Sequence, residues 1–212
     1  MVYTTVANVR LLTNLEIADI SDANITSIIT QATYHLNADI NTRVVREQAL
    51  QIDNTRKNEI NGTNTVYYVR NWRGRYIADM DNDGGIDIGD VIVYLVTSEG
   101  TETTATISAV DSDDGKITLS TAPSSGLRVY ITYEWAYEDP STPSKFIELA
   151  CTLLTAAFCY EKLNRGMSPQ QVYGNVRFMR DMRAGNEFFI RYRDMLAKIN
   201  ASMGDFTEAE VF

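Results

Sequence analysis

The sequence predicts an α+β fold: a four-helix bundle built from residues 1–62 and 141–200, with a small antiparallel β sandwich or barrel inserted at residues 63–140. Three observations predict it. Apolar residues recur every three or four positions near both ends of the chain, which is the helical period. The middle of the chain instead has short β-branched and aromatic runs separated by Gly, Asn, Asp, Pro and Ser. Finally, the stretch around Leu153 is apolar on every side and needs covering on all of them, while the two N-terminal helices have too little apolar surface to stand alone.

In chain order, Thr4 or Thr5 is placed to cap a short helix running through Leu12, with Asn14 ending it. Ser21 caps a longer helix whose apolar face is Ile25, Ile28, Ile29, Ala32, Leu36, Ile40 and Val44. From Gln48 to Asn64 the pattern fades into polar residues and reads as a linker. Five strands follow, at Val66–Val69, Val91–Val96, Thr103–Val110, Lys116–Ser120 and Leu127–Ala136. Asp111-Ser112-Asp113-Asp114-Gly115 and Ala122-Pro123-Ser124-Ser125-Gly126 both read as hairpin turns.

Pro143 sits near the start of the apolar helix, which runs to about Leu163 and is ended by Asn164-Arg165-Gly166. Cys151 and Cys159 lie eight residues apart on it, roughly 12 Å along the axis, so they cannot bond to each other and read as buried small hydrophobes. The last helix is predicted from about Asn175 to Ala201. Phe178, Met182, Gly185, Phe189, Tyr192, Leu196 and Ile199 form a heptad seam on it. Residues 201–212 are a short acidic tail carrying Phe206, Val211 and Phe212.

Composition excludes several function classes. The chain has 212 residues, 44% of them hydrophobic and 22% charged, which is globular. Its net charge of -9 argues against a uniformly basic nucleic-acid binder. One His and two Cys cannot assemble a His/Cys zinc site or a multi-disulfide scaffold. No basic and apolar leader opens the chain, and the most apolar stretch, Phe146 to Tyr160, is too short to span a bilayer, so no membrane role is expected. Charge is unevenly spread: residues 1–163 carry net -10, residues 164–200 net +4, and the tail net -3. The Arg-rich helical stretch is therefore a candidate contact for an acidic surface.

The sharpest motif is Asp79-Met80-Asp81-Asn82-Asp83-Gly84-Gly85-Ile86-Asp87-Ile88-Gly89-Asp90. Carboxylates fall at loop positions 1, 3, 5, 9 and 12, Gly84 at position 6, and the Gly85 carbonyl at position 7. Calcium takes six to eight hard oxygens from a loop that curls around it, and this spacing supplies them, so Asp79, Asp81, Asp83, Gly85, Asp87 and Asp90 are the candidate Ca²⁺ ligands. The loop resembles those of dockerin modules, except that it runs into the strand Val91–Val96 where a helix would be expected. Catalysis finds little support. His35 lies near the stripe of the second helix, both Cys sit in the apolar helix, and no Gly loop suited to phosphate is present. The chain is not expected to be an enzyme. Trp72 and Trp135, with the tyrosines of the strand region, are candidates for a carbohydrate platform or for core.

The layout resembles the head–tail connector (adaptor) proteins of tailed viruses, bacterial or archaeal. The resemblance rests on Tyr3-Thr4-Thr5-Val6-Ala7-Asn8-Val9-Arg10-Leu11-Leu12, on Ile20-Ser21-Asp22-Ala23-Asn24-Ile25 with the helix that follows, and on the two C-terminal helices joined by the Asn164–Tyr173 loop. The strand segment from Ile107 to Tyr133 resembles the β insertion of some members. The resemblance implies a four-helix connector-type bundle and a structural role in the virion, at the head–tail junction, after assembly in the host cytoplasm. It implies a homo-oligomeric ring, usually twelve-fold, beneath the portal protein and above a downstream neck or tail protein, with genomic DNA passing through without sequence-specific binding. Carried onto this chain, Arg177, Arg180, Arg183 and Arg191 would lie in the ring interface. Phe206, Val211 and Phe212 would be the portal-docking anchors. The competing reading is a calcium-dependent cell-surface or carbohydrate-binding module built on the β domain.

Overall fold

The computed structural model describes residues 2–70, 76–136, 138–165, 170–173, 176–179 and 183–204. Among these residues there are four α-helices: α1 (Val6–Thr13), α2 (Asp22–Ile40), α3 (Lys145–Arg165) and α4 (Arg183–Gly204). The described strands are β1 (Thr42–Gln48), β2 (Val66–Tyr68), β3 (Tyr76–Ile77), β4 (Val91–Val96), β5 (Glu102–Thr104), β6 (Ile107–Asp111), β7 (Lys116–Leu119), β8 (Arg128–Ala136), β9 (Gln170–Tyr173) and β10 (Val176–Met179). The chain divides into two compact units, one formed by Asn41–Thr142 and the other by Val2–Ile40 with the chain from Pro143 onward. Among the described residues no helix is long and apolar enough to cross a membrane.

The helical unit starts with caps that the sequence encodes. The Thr5 side chain accepts from the Asn8 amide at 3.2 Å, and Asn14 closes α1 in the left-handed region at φ 54° with its N–H on the Arg10 carbonyl. Ser21 Oγ accepts from the Asn24 amide at the start of α2. Between the two helices the Arg10 guanidinium donates to the Leu15 and Ile20 carbonyls at 2.8 and 2.9 Å and pairs with Asp22, which fixes the turn.

These helices do not form the predicted four-helix bundle. α1 has only eight residues, about 12 Å of axis, too short to be one side of a bundle. Instead α3 is the centre, touched by α1, α2 and α4 in turn. Every side chain from Ala150 to Ala157 is buried, as expected for a helix apolar all round. Cys151 and Cys159 are both free and buried, and burial pushes the Cys159 thiol up to about 11. α4 packs closely on α3 at Gly185, where a Cβ would come 3.1 Å from Tyr160 Cβ. Tyr192 OH donates to Asp39 of α2 at 2.5 Å.

Two further boundaries differ from expectation. The predicted start of the last helix is strand: β9 and β10 pair antiparallel with Val176 opposite Tyr173, so Phe178 of the heptad seam lies in a ribbon. The Gly174-Asn175 pair between two β-branched and aromatic runs is a hairpin signal that outweighs the helical spacing. Val44, read as the last residue of the α2 stripe, is in β1 and pairs with Tyr133 of β8. β-branched Thr42, Val44 and Val45 favour extended backbone, and pairing across the sheet decides the matter.

The β unit holds two antiparallel sheets. The larger runs β1-β8-β4-β5, with β3 also on β8. The smaller runs β2-β7-β6. Tyr67, Ile117 and Leu119 of the smaller sheet share one core with Val93, Ile131 and Tyr133 of the larger. The Asp111–Gly115 segment is the β6–β7 hairpin, with Gly115 at φ 57°. Ala122–Gly126 is not a hairpin turn, because it carries the chain from β7 in one sheet to β8 in the other. Residues 41–62 also belong to this unit. Ala49 donates to the Val129 carbonyl and enters the core. Buried Asn58 donates to the Leu50 and Tyr68 carbonyls at 2.9 and 2.8 Å and accepts from the Tyr68 amide at 2.8 Å.

Candidate metal centre

The acidic loop connects β3 to β4, and both strands pair with β8. Ala78 continues the ladder by donating to the Glu134 carbonyl, so residues 79–90 leave the sheet and return to it with both ends held. Within the loop the backbone curls around its own carboxylates. Asp81 Oδ1 accepts from the Asp83 amide at 3.1 Å, Asp83 Oδ1 from Gly85 at 2.9 Å, and Asp79 Oδ2 from Gly84 at 3.0 Å. Asn82 and Gly84 take positive φ values of 59° and 101°, which lets the chain reverse between these contacts.

The outcome is a convergence of Asp79, Asp81 and Asp83. One carboxylate oxygen from each lies within 4.8 Å of the others, with Asp79 buried and the other two exposed. Oxygens bound to one calcium at roughly 2.4 Å can stand no more than about 5 Å apart, so a single ion can touch all three. Three carboxylates this close repel one another unless a cation or water separates them. These residues fit a hard divalent cation, with hard oxygen donors and no soft ligand among them.

The remaining predicted ligands are placed differently. Asp87 caps the 3₁₀ turn Ile88–Asp90, with Oδ1 accepting from the Gly89 amide at 2.6 Å. Asp90 is buried and serves the loop backbone: Oδ1 accepts from Met80 at 2.6 Å and Asp81 at 3.3 Å, and Oδ2 from Asp87 at 2.8 Å. Burial pushes its carboxyl up to about 6, against the pull of those amides and with a push from the Asp79 charge. Gly85 is tied to Asp83 through its amide.

Two residues that the motif does not mark also shape the site. A Cβ on Gly89 would collide with Asp81 Oδ2 and sit 3.1 Å from Asp87 Oδ1, so this glycine leaves the space those two carboxylates share. Glu134 of β8 is half-buried, its carboxyl pushed up by burial and by the Asp79 charge while Arg43 pulls it down. The β8 register brings Glu134 beside the loop, a placement no local spacing reveals.

Elsewhere, His35 is exposed on α2 with its ring edge on Phe158 at 5.4 Å between centroids, consistent with a helix-surface His. Trp135 packs partly buried against the β core, and Trp72 lies outside the described residues. Arg191 is exposed on α4 and pairs with Glu187 at 2.5 Å. The Arg177 and Arg183 side chains, Arg180, and the anchors Phe206, Val211 and Phe212 lie outside the described residues. No family model matches the chain, and no protein of curated function matches it significantly.

Proposed function

We propose that this chain is a structural, non-enzymatic subunit of a tailed virus. In this reading it is a head–tail connector that forms a ring, twelve-fold in the resembling family, beneath the portal and passes the DNA channel on to a neck or tail protein. The observation that carries the reading is the outward face of α4. Phe189 and Ile190 are 41% and 52% exposed there, beside the exposed Arg191 and Arg193. Apolar residues set among arginines on an otherwise acidic chain suit a neighbouring subunit better than water. The thiols also fit a structural role: both are buried in α3 with their pKa values pushed up, the reverse of an activated nucleophile. Immunogold electron microscopy on particles and cells of the source culture tests it. Label at the capsid–tail junction is expected. Label on cell envelopes and none on particles overturns it and favours the calcium-dependent surface module.

The cation in the acidic loop is calcium in this reading. The triad's oxygen spacing suits its longer bonds, and an exposed loop built of Asx turns tolerates its irregular geometry better than magnesium's strict octahedron. Titration calorimetry after chelator treatment is expected to show calcium binding with a thermal upshift. No heat and no shift at millimolar calcium rejects it.

A further inference from the structure

Asn61 opens the turn that carries the polar segment into β2, and its side chain folds back over the peptide that follows it. Asn61 Oδ1 accepts from the Thr63 amide at 2.9 Å, from the Thr63 hydroxyl at 2.9 Å and from the Asn64 amide at 2.8 Å. An amide oxygen that gathers three donors leaves its carbon electron-poor, and the same donors are in place to hold negative charge if that oxygen becomes an oxyanion. Asn61 Nδ2 points the other way and donates to Glu59 Oε2 at 3.3 Å.

The next residue supplies a nucleophile. Because Oδ1 reaches the amides two and three residues on, the carboxamide arches over the Gly62 peptide. Among the described residues the Gly62 amide donates to no acceptor. Gly62 lies at φ 82°, and nothing stands within 4 Å of where a Cβ would be, so its nitrogen is unshielded. Residues 61–63 are all exposed, so water reaches the turn. This is the one Asn-Gly step in the sequence. Asp83-Gly84 and Asp114-Gly115 offer the same glycine, but an ionised carboxylate is a far poorer electrophile than a neutral amide.

We infer that Asn61 is a self-modifying site, at which the Gly62 nitrogen displaces ammonia from Asn61 and water then opens the imide to aspartate or isoaspartate. The Gly62 N–H gives its proton to a base in the solvent as the N–Cγ bond forms, and the Asn61 oxygen becomes an oxyanion held by its three donors. Breaking the Cγ–Nδ2 bond expels ammonia, which takes a proton from water. One water then adds to either imide carbonyl. The net change is amide and water to carboxylic acid and ammonia, with nothing oxidised or reduced. Both products place a new negative charge beside Glu59, and isoaspartate also adds a methylene to the backbone. The turn next to it ties Asn64 to the Glu59 and Val66 carbonyls at the entry to β2, so each copy carries a one-way record of its age there. This depends on neither the viral nor the calcium reading.

Peptide mass spectrometry tests the inference on the full-length chain kept for weeks at neutral pH and body temperature, beside a sample unfolded in guanidinium chloride. Asn61 is expected to exchange its amide for an acid about threefold faster in the folded sample, with isoaspartate the main product. Thr63→Val removes the hydroxyl donor from an exposed residue and keeps its shape. It is expected to slow the folded sample about fivefold and to leave the unfolded one unchanged. A folded rate at or below the unfolded rate means that the turn protects Asn61 and overturns the inference, as does a folded Thr63→Val chain that reacts as fast as the wild type.

Discussion

Gly89 is where one hydrogen atom decides between a site and a crowded loop. A methyl group there meets the far end of the Asp81 side chain, which is exposed and can swing away. Gly89→Ala is therefore expected to leave the metal-free melting temperature within a few degrees while weakening calcium about tenfold, roughly 1.4 kcal/mol, by calorimetry. Asp90 works in the opposite sense, buried and committed to three amides. Its carboxyl titrates near 3.8 in the unfolded chain and near 6 in the folded one, so the folded state holds the proton more tightly. The metal-free protein is accordingly expected to lose stability as pH rises from about 4 to about 6, measured by urea denaturation, and Asp90→Asn to flatten that slope. Asp79, Asp81 and Asp83 were legible in the sequence because alternate acids before a glycine are a local pattern. Glu134 was not, because strand pairing brings it there from 44 residues beyond Asp90, the last residue of the loop.

The elements that sequence reasoning located well are those whose ends carry their own chemistry. Thr5, Asn14 and Ser21 mark α1 and the start of α2 by side-chain bonds to nearby amides and by one left-handed residue. Val44 and Phe178 failed the helical reading because each fits an i+4 spacing by chance and a β ladder by pairing. The polar segment 49–64 failed differently. Its order comes from Asn58, whose buried amide takes the place of a missing strand partner for Leu50 and Tyr68. Asn58→Ala strands two carbonyls and one amide and is expected to cost about 2–4 kcal/mol of stability, read by urea denaturation, with early proteolysis between Leu50 and Asn64.

Over the whole molecule, the helix–strand–helix order of the chain was legible and the packing of the helices was not. Periodicity shows which face of a helix is apolar but not how many neighbours cover it, and α3 with its continuous burial collects three around itself. The β unit has its own core from both sheets. Asn41–Thr142 expressed alone is therefore expected to unfold cooperatively with a strand-type circular dichroism spectrum and, under the proposed calcium reading, to give the same calcium titration as the full chain. The chain enters this unit through β1 and leaves it after β8, adjacent antiparallel strands whose outer ends meet at Thr42 and Trp135. Tension applied through the two connections would load the β1–β8 ladder from that end and open it bond by bond, like a zip, while the Tyr76–Ala136 and Ile77–Trp135 pairs with β3 hold the other edge of β8. Strands loaded at opposite ends would share the force across all their bonds at once. The β1–β8 edge is thus the part of the unit placed to give way progressively, with β8 still held by β3 and β4.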